Sequence, residues 1–206
     1  MAMIEEKRAV FYDNLGDTHV VLVTINPGVF LGIESYNDMG EKTGYINFCF
    51  HPHNRIFLES VYCFDNCRSK GVASRISELT DFVLREYVGY IIRGVYLPSQ
   101  LSIDRECEIY RSPQELDLRA TKFYQKNGYE IISLEDYLNN PVLYPNLLKD
   151  YDFQLGEELV EVIVTKKIKA LEKYQYKEIG GIYVHDNVIN SFDSIPKSKI
   201  LGRYGS

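Results

Sequence analysis

Hydrophobic and polar positions first fall into a regular order at His19–Ile25 (HVVLVTI), a β-branched run that stops at Asn26-Pro27-Gly28. It predicts a strand closing in a turn. Val29–Tyr36 predicts a second strand, Asn37–Thr43 a turn, and Gly44–Phe50 the return strand of a hairpin. After a turn at His51-Pro52-His53-Asn54, Arg55–Cys63 (RIFLESVYC) predicts a third strand of the meander. The period then changes. Over Arg68–Tyr87, Val72, Ile76, Leu79, Val83 and Leu84 fall at helical spacing. Tyr90–Leu97 reads as a strand ended by Pro98, and residues 98–113 as a long loop. Ser112 and Pro113 fit the N-cap and first residue of a second helix, with Leu116, Ala120, Phe123 and Tyr124 as its apolar stripe and Gly128 as its stop. Tyr129–Ser133 and Leu159–Thr165 predict two further strands, and Lys166–Tyr176 a helix; the remaining tail is weakly patterned. Strands alternating with helices in this order imply a mixed α/β fold.

Composition narrows the functional classes. The 206 residues suit one domain with an appendage, drawn here as 1–168 and 169–206. No apolar run approaches the roughly 20 residues of a membrane span. The start MAMIEEKRAVFYD carries no secretory pattern, so the four cysteines are expected reduced and the protein in a cytoplasm. The net charge of −6 argues against nucleic acid as a partner. That average hides an asymmetry: residues 166–206 are +4 and the rest −10. Glu130–Glu161 alone holds eight acidic residues against Lys149, a solvated face or a field drawing cationic substrates.

The chemistry-bearing segment is Cys63–Ser74, CFDNCRSKGVAS, where a strand passes through a short loop into a helix. A helix start offers unpaired N–H groups and the positive end of its dipole, which together hold phosphate. Gly71 is expected to let an anion approach the backbone, Ala73 to leave room, Arg68 and Lys70 to add charge, and Ser74 to donate a hydrogen bond. The spacing fits neither a P-loop nor a Gly-x-Gly-x-x-Gly dinucleotide turn.

Arg68-Ser69-Lys70-Gly71-Val72-Ala73 resembles the Gln/Arg-x-x-Gly-x-Gly/Ala signature of the GNAT N-acetyltransferase superfamily. Ala120–Tyr129 (ATKFYQKNGY) resembles that family's Ala-x-x-Phe/Leu-Tyr-x-x-x-Gly-Phe segment, and the strand ending at Lys166 resembles its last strand. The resemblance spans roughly residues 18–168. It implies a central, mixed, mostly antiparallel sheet flanked by helices, here with a C-terminal extension. It also implies acetyl-CoA as co-substrate, with no metal, and direct acetyl transfer to the amine of a small molecule or peptide. The pyrophosphate would lie on Arg68, Ser69, Lys70, Gly71, Val72, Ala73 and Ser74, and the pantetheine arm along the main chain of Val61, Tyr62 and Cys63. Tyr124 would support the departing thiolate, a phenol of pKa about 10 being suited to a thiolate of about 8.5. Glu59 stands where some members carry a general base, and equally suits a strand residue facing solvent.

The chain departs from the family at Asp117, where an Asn is common, in the long link from Leu97 to Asp117, and in an N-terminal region too strand-rich for the usual helix pair. Cys49, His51, His53, Cys63 and Cys67 are zinc-ligand types but match no standard spacing, so no metal is expected. Cys67 beside Arg68 is a candidate thiol of lowered pKa. The tail, with Tyr174, Tyr176 and Tyr183, reads as an interaction arm, an element exchanged in a homodimer, or a disordered end. The alternative to an enzyme is an acyl-CoA-binding or interaction module on the same fold.

Overall fold

The computed structural model describes residues 4–52, 55–87, 89–95, 119–133, 136, 139–140, 154–155, 158–159, 162–168 and 170–204. They divide into two compact units, one formed by residues 1–51, 58–87 and 169–206 and the other by 52–57 and 88–168.

The first unit is built on antiparallel pairing. Strand β1 (Glu5–Tyr12) pairs with β2 (Thr18–Asn26), β2 with β3 (Phe30–Tyr36), and β3 with β4 (Lys42–His51). β5 (Arg55–Cys63) follows β4 in the sheet order. The meander expected from β2 to β5 is present, preceded by β1, which periodicity did not single out. A tight turn at Asp13–Asp17 joins β1 to β2, and no helix pair stands there. Residues 42–44 bulge against Ser35–Tyr36.

Strand alternation sorts these side chains onto two faces. Ala9, Phe11, Val21, Val23, Ile33, Leu31, Ile46 and Phe48 share one face, each fully buried or nearly so. Helix α1 (Val72–Val83) covers that face with Val72, Ile76, Leu79 and Val83. Burying a side chain of this size contributes roughly 1.5–3 kcal/mol. The helix is shorter than the stretch 68–87: residues Asp65–Cys67 form a 3-10 turn, 68–71 a further turn, and the chain leaves the helix at Leu84. Gly44 lets α1 come close, since a Cβ there would meet the Tyr62 carbonyl at 3.0 Å and Ile76 Cδ1 at 3.3 Å.

Residues 169–206 belong to this unit rather than hanging free of it. β11 (Tyr176–Ile179) and β12 (Ile182–His185) form a hairpin, and β12 lies parallel to β1. Gly180 and Gly181 turn it at φ +58° and +82°, as a Gly-Gly pair between two strands favours. A 3-10 segment (Ile189–Ser194) and α3 (Lys197–Ile200) then cross the other face, where Val188, Ile195 and Ile200 pack with Val10, Ile182 and Val184.

In the second unit, Arg55–Phe57 pair parallel with β6 (Gly89–Val95), and β6 pairs antiparallel with β10 (Val162–Ile168). β10 also pairs antiparallel with β7 (Glu130–Ser133), which follows α2 (Arg119–Lys126). A small hairpin joins β8 (Gln154–Leu155) and β9 (Glu158–Leu159). The helix expected over Lys166–Tyr176 is absent. Lys166, Lys167 and Ile168 continue β10 against Ile91, Tyr90 and Gly89, and Tyr176 opens β11. Pairing on the sheet overrides the local helix preference of this Lys-rich stretch. Leu159 belongs to β9, so the strand expected at Leu159–Thr165 begins instead at Val162. The loop expected at 98–113, Ser112, Pro113, Leu116, Asp117 and His53 lie outside the described residues, as does most of Glu130–Glu161. The result is a mixed α/β fold with a mostly antiparallel sheet and flanking helices. Among the described residues, no helix is long and apolar enough to cross a membrane.

Candidate functional site

The strand, loop and helix expected to hold phosphate lie together in the first unit. Strand β5 ends with Val61, Tyr62 and Cys63, all half-buried. Its ring at Tyr62 stacks on Tyr45 of β4 at 5.9 Å and meets Phe64 edge-on at 5.0 Å. The Phe64 N–H then donates to the Thr43 carbonyl at 3.1 Å, so the chain leaves the sheet at a fixed point. Ser69 and Gly71 both take left-handed backbone, at φ +63° and +85°. Gly71 is the N-cap of α1, and no side chain caps the helix. The first turn of α1, at Val72, Ala73 and Ser74, holds no acidic residue and thus presents the positive end of a twelve-residue helix.

The basic side chains contribute less than their sequence suggests. Arg68 Nη2 lies 2.8 Å from Asp65 Oδ1, and its Nε donates to the Cys63 carbonyl at 3.5 Å. Lys70 is half-buried, and its carbonyl accepts from the Asn14 N–H at 2.8 Å. Gly71 also works differently from the expectation. The space a Cβ would take is filled by Asn14, whose Oδ1 lies 2.7 Å from that position. The glycine therefore serves the left-handed backbone and the seating of Asn14; an anion would have to meet the amides from another side. Asn14 was not picked out from the sequence, although Asp13-Asn14-Leu15-Gly16-Asp17 is a strong turn signal.

Among the described residues, the thiols of Cys49, Cys63 and Cys67 are not activated. Burial pushes Cys63 up to about 11; the Ala73 amide and Arg68 pull the other way without reversing it. Burial also raises Cys67, helped by Asp13, Glu41 and Asp17 and opposed by Lys70. The reading of Cys67 as a thiol of lowered pKa is therefore corrected: it is 5% exposed and Arg68 is turned to Asp65. On β4, Cys49 donates to Glu59 Oε1 at 3.0 Å, and that bond and burial push the thiol to about 11. Glu59 is exposed on β5 with one carboxylate oxygen engaged by this thiol. Among the described residues, no three potential ligands converge as a metal site would require.

Tyr124 belongs to the second unit, on α2. It is 3% exposed, and its ring meets Phe123 and Tyr129 edge-on, each at 5.4 Å. Its carbonyl accepts the Tyr129 N–H at 3.0 Å, and Gly128 takes φ +78°, ending the helix as expected. Lys166 of β10 lies over the Tyr129 ring at 5.3 Å.

No family model and no curated protein matches the sequence. Among solved structures, the chain is similar to an acetyltransferase of the GNAT family from Staphylococcus aureus Mu50, at 14% identity over 69% of this chain and 70% of that one, with a TM-score of 0.44. It is similar to nourseothricin acetyltransferase at 15% identity, over 79% and 84%, with a TM-score of 0.42. It is also similar to a Bacillus anthracis protein assigned as a streptothricin acetyltransferase and solved with acetyl coenzyme A, at 12% identity, over 80% and 85%, with a TM-score of 0.41.

Proposed function

We propose that the chain is a member of the GNAT superfamily, an acetyl-CoA-dependent N-acetyltransferase that passes an acetyl group directly to the amine of a small molecule or peptide. The observation that carries this reading is the junction at Gly71. There an uncapped helix start follows a strand end and a loop with the Arg-x-x-Gly-x-Ala pattern. The amides of Val72 to Ser74 and the dipole of α1 supply the field for pyrophosphate, with Lys70 adding charge. The main chain of Val61, Tyr62 and Cys63 leads into that junction and suits the amide groups of a pantetheine arm.

Chemically, transfer from a thioester needs a neutral amine as nucleophile, a donor for the carbonyl oxygen, and a proton for the leaving thiolate. In this reading, β5 main-chain N–H groups polarise the carbonyl. On the match of Ala120–Tyr129 to the family segment alone, Tyr124 is assigned as the donor to sulfur as the carbon–sulfur bond breaks, and the proton lost by the amine is taken by Glu59, directly or through water. Cys63 and Cys67 stay protonated and take no part, which argues against a covalent acetyl-cysteine route. The −10 charge outside residues 166–206 favours a cationic amine as acceptor.

The burial of Tyr124 favours a second reading, a module that binds acyl-CoA without turning it over. One assay separates the two: CoA release from acetyl-CoA against a panel of polyamines, aminoglycosides and peptides. The enzyme reading predicts thiol release dependent on one class of amine. Binding of acetyl-CoA with no release across the panel selects the module.

A further inference from the structure

A chain of buried polar side chains runs beneath the loop. Asp13 Oδ1 accepts the Leu15 N–H at 2.9 Å and the Asp17 N–H at 3.0 Å, and its Oδ2 lies 3.4 Å from His19 Nε2. Burial keeps His19 below its ordinary value against the pull of Asp13, so the ring is neutral. A carboxylate can only accept, which places the ring proton on Nε2 and leaves Nδ1 as an acceptor. The Thr43 hydroxyl donates to Nδ1 at 3.1 Å, and Thr43 Oγ1 in turn accepts from Ser35. The order hydroxyl, imidazole, carboxylate is that of a hydrolytic triad. Yet Ser35 and Thr43 are fully buried, on the sheet face that α1 covers, and no substrate reaches them.

What the chain of bonds does reach is the loop, at both ends. At the loop's start, Thr43 holds Phe64 through its carbonyl. At its end, the turn anchored by Asp13 brings the Asn14 N–H to the Lys70 carbonyl at 2.8 Å and lays the Asn14 amide against Gly71. We propose that Ser35, Thr43, His19 and Asp13 form a positioning relay that fixes residues 64–71 and so the direction in which the first amides of α1 face the acetyl-CoA pyrophosphate. Thr43 and Asn14 are its contact residues with the loop, and both are positioning residues that touch no reacting atom. The role in cofactor binding rests on the acetyl-CoA reading above; the tie to the loop does not.

Hydrogen exchange on the full chain without ligand tests the tie, and calorimetric titration with acetyl-CoA tests its consequence. Thr43→Val removes the hydroxyl link, Thr43→Ser keeps it, and Asn14→Ala clears the space over Gly71. Thr43→Val is expected to speed exchange about tenfold at Phe64, Asn14 and Arg75, whose N–H bonds to the Gly71 carbonyl, while β2 and β3 amides hold their rates. Acetyl-CoA should bind about tenfold more weakly to this variant, and Thr43→Ser should restore both readouts. Asn14→Ala should change Arg75 more than Phe64, and decides the matter should Thr43→Val fail to fold. Unchanged exchange at these amides, or a rise spread evenly over the whole unit, overturns the proposal. So does equal acetyl-CoA affinity in all variants. A wild type that takes up no acetyl-CoA, with the loop amides responding as described, keeps the tie and overturns the acetyl-CoA reading instead.

Discussion

Gly71 carries two demands at once, a left-handed φ of +85° and an Asn14 side chain that fills the place a Cβ would take. Gly71→Ala is expected to cost about 1–2 kcal/mol for the backbone alone, with displacement of Asn14 added to that. Urea denaturation measures it, and a loss within about 0.5 kcal/mol of zero contradicts the reading. His19 makes a pH prediction. Because its folded value is depressed, the unfolded chain binds more protons as the pH falls below the ordinary 6.5. Its contribution to stability is complete above 6.5 and is lost as the pH falls through the folded value. Burial opposes Asp13's low value, but the Asp17 and Leu15 amides and His19 outweigh it; Asp13 adds the same sign of effect below 3.8. The melting temperature should therefore fall from pH 7 to pH 5, and His19→Gln should flatten that slope. A slope unchanged in the variant places the titration elsewhere. Tyr124→Phe keeps the buried ring and removes the phenol, so stability should change little while acetyl transfer falls about tenfold or more.

Helix α1 and the strands beneath it show which elements could be read from their residues. The spacing of Val72, Ile76, Leu79 and Val83 marks a face that one sheet covers, and the helix is where that spacing puts it. Its start is not where the spacing begins, because Ser69 and Gly71 in left-handed backbone hold the chain in a turn until Val72. β1 and the β11–β12 hairpin escaped for different reasons. Glu5, Glu6, Lys7 and Arg8 make the first half of β1 polar, and its strand character comes from pairing on both sides, with β2 and β12. The hairpin is short, and Gly180-Gly181 was its legible signal. Lys166–Tyr176 predicts a helix from its residues because helix preference is local, whereas the partners of β10 are far along the chain. At the site, the junction at Gly71 was legible as a motif. Asn14, His19 and Thr43 were not, since their roles depend on contacts across β1, β2 and β4. Gly44 tests the packing of α1: Gly44→Val places atoms against the Tyr62 carbonyl and Ile76, and should destabilise by about 1–3 kcal/mol. An unchanged denaturation midpoint would mean that α1 does not sit this close to β4.

Over the whole molecule, the charge asymmetry takes on a structural form. Lys166 and Lys167 of the +4 segment lie on β10 in the second unit, while residues 169–206, with six basic and four acidic side chains, are part of the first unit, held by β12 against β1 and by an apolar cluster around Val10. Lys199 meets Asp38, so part of that segment's positive charge is spent within the unit, and its Glu178 meets Lys7 of β1. Deleting residues 169–206 uncovers Val10 and Phe82, and should cost roughly 5 kcal/mol or more, giving an insoluble or unfolded chain. A truncated protein with an unchanged melting temperature would return the segment to the status of an appendage. The acidic remainder and the local field at α1 are compatible, because a helix start acts over one turn and needs no overall positive charge.

On the proposed function, acetyl-CoA binds at the junction of β5, the loop and α1. Calorimetric titration of acetyl-CoA into the wild type and into Ala73→Glu tests it most directly. An acidic residue in the first helical turn favours the helix itself, so the variant should fold, while its charge opposes a pyrophosphate at the same place. One acetyl-CoA per chain should bind saturably to the wild type, weakened about tenfold or more by Ala73→Glu. No binding to the wild type, or equal affinity in the two proteins, would contradict it.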